Sequence, residues 1–228
     1  MDHSAETPSW EGSAMRERVF GIGSCHPKRI LGLAMTMALV LPLPASAAEL
    51  PPLRPHALNE GETRFALGGK LDPRAIREIA PDGVLHVLQS WRENGNAWGY
   101  HDLTVTVRDT EGRFSLVGSD PLPENAKDGL RDHLQDAPHT GEDAILSLAF
   151  ATSADPARPG FYLVECQRMI DGPVPDPAPA RLIYFKLVAS DGTPGWTPLY
   201  FQFQRVVQLE GRFDSADEAL KKAFPPGR

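Results

Sequence analysis

Short apolar runs bounded by glycine, proline and aspartate fill the chain, two of them alternate strictly, and helix-forming stretches are few. Together these predict a mainly β fold: an antiparallel β-sandwich or half-barrel with a short C-terminal helix. Strands are expected at Thr63–Leu67, Gly83–Ser90, His101–Arg108, Arg113–Gly118, Ile145–Ala151, Gly160–Arg168, Ala180–Val188 and Leu199–Leu209.

The third and fourth of these make the clearest hairpin. Leu103, Val105 and Val107 alternate with Thr104 and Thr106, and Gly112 suits the positive φ that the turn after Asp109 needs. In the last run Phe201, Phe203, Val207 and Leu209 are expected on one face and Gln202, Gln204 and Gln208 on the other, giving a sheet with one wet face. Three helices are expected. Pro73–Ile79 follows an Asp72 cap. Asn125–Leu134 is polar and weakened by Gly129. Ser215–Phe224 opens on an S-x-x-E capping box and carries Lys221 and Lys222 near its negative end.

Ahead of the β pattern lies a targeting signature. Arg16, Arg18, Lys28 and Arg29 form a basic region, and Ile30–Leu41 is an uncharged apolar run of twelve residues. Ala45, Ser46 and Ala47 supply the small-x-small pattern that a signal peptidase reads. At 1.5 Å per residue the run reaches about 18 Å, short of a hydrocarbon core of roughly 30 Å. Residues 1–47 are therefore expected to be a cleaved secretory signal, with Met15 as an alternative start. Residues 48–58 read as a proline-rich, loosely held leader, and 59–228 as a single β-rich domain. The location implied is the periplasm, with no membrane span after cleavage.

Four of the 23 basic and four of the 30 acidic residues lie in the first 47, so the remainder carries 19 against 26, a net charge of −7. Such a balance argues against nucleic acid as a partner. Cys166 is the single cysteine after the signal, and its strand-like flanks predict an inert buried thiol and no disulfide.

The chemistry of common enzymes is missing. No S-x-x-K, G-x-S-x-G, H-E-x-x-H, P-loop or dinucleotide motif occurs, and His86, His101, His133 and His139 are scattered. No cofactor, metal or catalytic residue is assigned, although a hydrolase site assembled from separate strands stays open. Two loops carry recognition chemistry instead. The stretch from Trp91 to His101 combines three aromatics with Arg92, Glu93, Asn94 and Asn96. A second, 191–198 (DGTPGWTP), presents Trp196. Each has a structural alternative, bracing a hairpin or plugging the edge of the core.

Four segments, in this order, carry a family resemblance. They are 59–65 (NEGETRF); an R-E-N-x-N-A motif at Arg92, Glu93, Asn94, Asn96 and Ala97; Pro194, Gly195 and Trp196 leading into 199–203 (LYFQF); and a closing D-x-x-E-A type helix at 214–219 (DSADEA). This pattern resembles the CarG-like family of periplasmic carbapenem self-resistance proteins, over about residues 58–224. The resemblance implies non-hydrolytic protection from β-lactams, beside a second periplasmic resistance protein or another envelope component. It points to Arg92, Glu93, Asn94, Asn96, Trp98 and Trp196 as ligand or partner contacts. Relative to the family pattern, two cysteines that could pair are replaced by Ala144 and Phe213, the acidic loop becomes 68–74 (GGKLDPR), and a histidine becomes Trp98. The competing reading is a β-sandwich module that binds a small envelope ligand or glycan.

Overall fold

A computed structural model describes residues 49–93, 95, 99–125, 129–136 and 144–225. All eight expected strands form, within two residues of their expected ends: β2 (Gly61–Ala66), β3 (Val84–Arg92), β4 (Tyr100–Arg108), β5 (Phe114–Ser119), β7 (Leu146–Ser153), β8 (Phe161–Arg168), β9 (Ala180–Ala189) and β10 (Leu199–Gln208). Two short strands, β1 (Leu53–His56) and β6 (Leu134–Gln135), join them. All ten belong to one curled sheet in the order β1-β7-β8-β9-β10-β5-β4-β3-β2, with β6 beside β4. The curl makes a half-barrel. Its two edge strands meet across the interior, where His56 of β1 lies 5.5 Å from the ring of Phe65 on β2.

Alternation explains the core. Leu85, Val87, Leu103, Val105 and Val107 from one half face Phe150, Phe161, Leu163, Ile183 and Phe185 from the other, all buried. Opposite-parity residues of β8 and β9 are buried too. Val164, Cys166, Leu182 and Tyr184 pack beneath the helix α2 (Ala216–Ala223) through Ala216 and Ala219. Burial on both faces is why β8 reads as an unbroken apolar run, YLV, instead of an alternating one.

The caps form as the sequence requires. Asp72 accepts from the Arg74 N–H at the start of α1 (Pro73–Glu78), 2.7 Å away. Ser215 accepts from the Glu218 N–H, while Glu218 accepts from the N–H of Asp214, one residue before the position a standard box uses. In the β4–β5 turn, Gly112 adopts φ +79° and its N–H donates to the Asp109 carbonyl. No helix of the described residues is long and apolar enough to cross a membrane.

Four expectations need correction. Leader residues are not loose: β1 pairs antiparallel with β7 from Leu53↔Ser153 to His56↔Phe150, and Pro51 is buried. Strand pairing is compatible with Pro55, the one proline within β1, because it sits at a position where the ladder needs no donor from β1. The expected Asn125–Leu134 helix is absent among the described residues. Pro123–Asn125 make a 3₁₀ turn, Arg131 bridges Ser119, and β6 pairs with β4. The sheet is mixed, since β10 runs parallel to β5. Finally, β10 changes phase at a bulge between Phe203 and Arg205. Phe203 and Val206 therefore pack on the inner core, whereas Val207 and Leu209 turn to the α2 side.

Candidate functional site: the seam cleft

Where the curled sheet fails to close, β1 and β7 face the ends of β3 and β4 across a cleft of about 540 Å³. Its polar lining includes His56, Gln89, His101, Asp136, Ser147, Asp217 and Lys221, while Leu103, Leu148, Leu220 and Phe224 supply apolar surface.

One wall is built by strand pairing. The β3–β4 ladder runs to Trp91↔His101 and Arg92↔Tyr100. Asp136, just after β6, accepts from the His101 backbone N–H at 2.5 Å, and its other oxygen lies 2.7 Å from His101 Nδ1. The Asp136 N–H returns a bond to the His101 carbonyl. One carboxylate thus fixes both the backbone and the ring of His101. Trp91 meets the same imidazole edge-on at a centroid distance of 5.0 Å.

The opposite wall is set by α2. Ser147 of β7 donates a hydrogen bond to Asp217, which anchors the first turn of the helix to the strand. Lys221 is one turn further on, exposed at the cleft. On β1, His56 Nε2 lies 3.0 Å from Thr152 Oγ1. Burial holds the His56 pKa below its ordinary value, and Lys70 and Arg54 push it the same way.

Ser147 is paired with Asp217 and His101 with Asp136, so the hydroxyl and the imidazole are each hydrogen-bonded to a carboxylate and not to one another. Among the described residues, no three His, Cys, Asp or Glu side chains gather as metal ligands.

The sequence-derived contact residues divide. Arg92 lies over the Tyr100 ring at 5.5 Å. Glu93 accepts from Trp91 Nε1 (3.3 Å) and from the Gly95 N–H (2.9 Å), with Gly95 at φ +70°. Both charges thus have a partner within the hairpin. Asn94, Asn96 and Trp98 lie outside the described residues. Trp196 stands elsewhere, edge-on to Tyr200 at 4.7 Å, on a separate cavity of about 260 Å³ with Asp120, Leu130 and Phe203. No residue lines both cavities. Sequence reading missed Asp136, Ser147, Asp217 and Lys221. Only Lys221 carried a signal, as a helix-terminal charge; the others are joined by pairings across 35 and 70 residues of chain.

No protein-family model matches the chain, and neither does any curated protein. Among solved structures, the crystal structure of CarG superposes with a TM-score of 0.54 at 18% sequence identity, over 74% of this chain and 94% of that one. The chain therefore shares a distantly related fold with CarG over nearly all of the CarG chain.

Proposed function

We propose that the protein is exported to the periplasm and protects the cell envelope from β-lactams without hydrolysing them, with the seam cleft as its binding surface. The observation that carries this reading is the agreement of two separate likenesses. Short motifs along residues 58–224 resemble the carbapenem self-resistance family, and the fold aligns with 94% of the CarG chain. The paired state of Ser147 and His101 supports a binder over a hydrolase. Deleting the gene and measuring β-lactam susceptibility tests the role. The expected outcome is sensitisation, reversed by the full-length gene and not by one lacking residues 1–47.

A second reading, an envelope-ligand binding module, draws on the same cleft. An exposed lysine beside apolar surface suits a carboxylate-bearing ligand such as a peptidoglycan peptide. Thermal shifts with β-lactams and with muropeptides separate the two, because a ligand selective for the folded state raises its stability by mass action.

A further inference from the structure

Among the described residues, the sheet is one strand short at the cleft. β7 pairs with β8 along Leu146–Thr152, but β1 covers only Phe150–Ser153 on its other side. Beyond His56 the pairing with β7 ends, and no strand of the described residues is hydrogen-bonded to Leu146–Ala149 on that edge. The phase of the exposed backbone follows from β1. Pro55 opposes Ala151 and has no N–H, and the Ala154 N–H reaches the Pro52 carbonyl at 2.8 Å. Even-numbered residues of β7 therefore direct their N–H and C=O groups to the β1 side, and at the vacant stretch these belong to Leu148 and Leu146.

We propose that this vacancy is a strand-addition site for an extended, acidic peptide segment of a partner protein. The segment would continue the line of β1, antiparallel to β7, and hydrogen-bond to the backbone of Leu148 and Leu146. Its side chains would alternate between two walls. One is the α2 wall, where Ala149 leaves room beside Leu220 and Phe224. The other is formed by Gln89 and Leu103. Charge selects the segment. Asp136 and Asp217 are already hydrogen-bonded to His101 and Ser147, whereas Lys221 is exposed at the cleft with no hydrogen bond or ion pair to another described residue, so an acidic side chain on the α2 wall completes the site. The proposal rests on the cleft being the binding surface; it does not depend on β-lactam protection, which the susceptibility test reads separately.

The test selects phage-displayed random hexapeptides on the purified protein and follows a synthetic copy of the winner by amide hydrogen exchange. Alternating apolar sequences carrying aspartate or glutamate are expected, with exchange of the Leu148 amide slowed by at least tenfold. Lys221→Glu, an exposed change on a helix surface, should weaken that peptide at least tenfold and favour its lysine-bearing counterpart. Failure to enrich any sequence, or winners that leave the Leu148 amide unprotected, would overturn the proposal. Protection that grows with protein concentration in the absence of peptide would also overturn it, by assigning the edge to a second copy of the chain.

Discussion

Arg131 donates a 2.7 Å hydrogen bond to Glu165, a carboxylate with no exposed surface at all. The guanidinium also reaches Ser119 Oγ and the Asp120 carbonyl, and it lies over the Phe185 ring. Ser119, Asp120 and Arg131 are thereby tied to the middle of β8. A lone buried carboxylate is far costlier than a paired one. Arg131→Ala should therefore cost about 3–5 kcal/mol in urea unfolding, and the Arg131→Met, Glu165→Leu double variant much less. A loss below about 1 kcal/mol for the single change would contradict this pairing.

The same pair sets a pH dependence. Burial raises the Glu165 pKa above its ordinary 4.5, outweighing the pull of Arg131. A group whose folded pKa is raised contributes stability that is complete below its unfolded pKa and lost as pH rises through the folded one. Glu165→Gln should remove this contribution, so the stability of wild type relative to the variant should fall as pH rises from about 4.5. Melting temperatures of both proteins between pH 4 and 8 (an interval of about four units, spanning the ordinary carboxylate range) check it. A constant difference would refute the assignment.

Gly99 is dictated by Trp91. A Cβ at Gly99 would sit 2.0 Å from the indole, which real contacts do not allow. Gly99→Ala must displace the ring, at a cost of about 1–3 kcal/mol. Once Trp91 is alanine the clash is gone, so Gly99→Ala should then cost less than about 0.5 kcal/mol. Equal costs in both backgrounds would show that the ring does not pack there.

Much of this fold was legible because alternation reports directly on a sheet face, as in Leu103, Val105 and Val107. Three features were not, for definite reasons. Pro51, Pro52 and Pro55 conceal β1, since its pairing depends on β7 nearly a hundred residues away. Gly129 and the polar residues around it suggested a weak helix, but the Ser119–Arg131 bridge and the β4 edge claim that segment. The bulge after Phe203 reverses the parity of β10 without any glycine to mark it. At the site, the aromatic and charged loop was visible as composition. The seam that faces it exists only once β1, β7 and α2 have assembled.

Arg92 stacks on Tyr100, and Glu93 accepts from Trp91 and Gly95. Both are engaged inside their own hairpin, so Arg92→Ala should cost roughly 0.5–1 kcal/mol through the lost Tyr100 contact. Protection should then follow only the amount of folded protein. Melting temperature and β-lactam survival measured together check this. Lost protection at an unchanged melting temperature would return the residue to the binding surface.

Cys166 should be inert in the folded state. It is fully buried beneath α2, and burial, with a smaller push from Asp217, raises its pKa to about 12. A thiol reagent at neutral pH should label it only in denaturant. Rapid stoichiometric labelling of the native protein would mean that α2 opens readily.

Protection without hydrolysis is tested most directly by measuring survival and drug together. Cells with and without the gene are exposed to imipenem, and intact drug in the medium is quantified over the same hours. The expected result is greater survival of gene-bearing cells while the imipenem concentration declines at the same rate in both cultures. Faster drug loss with the gene present, or equal survival of the two strains, would contradict the account.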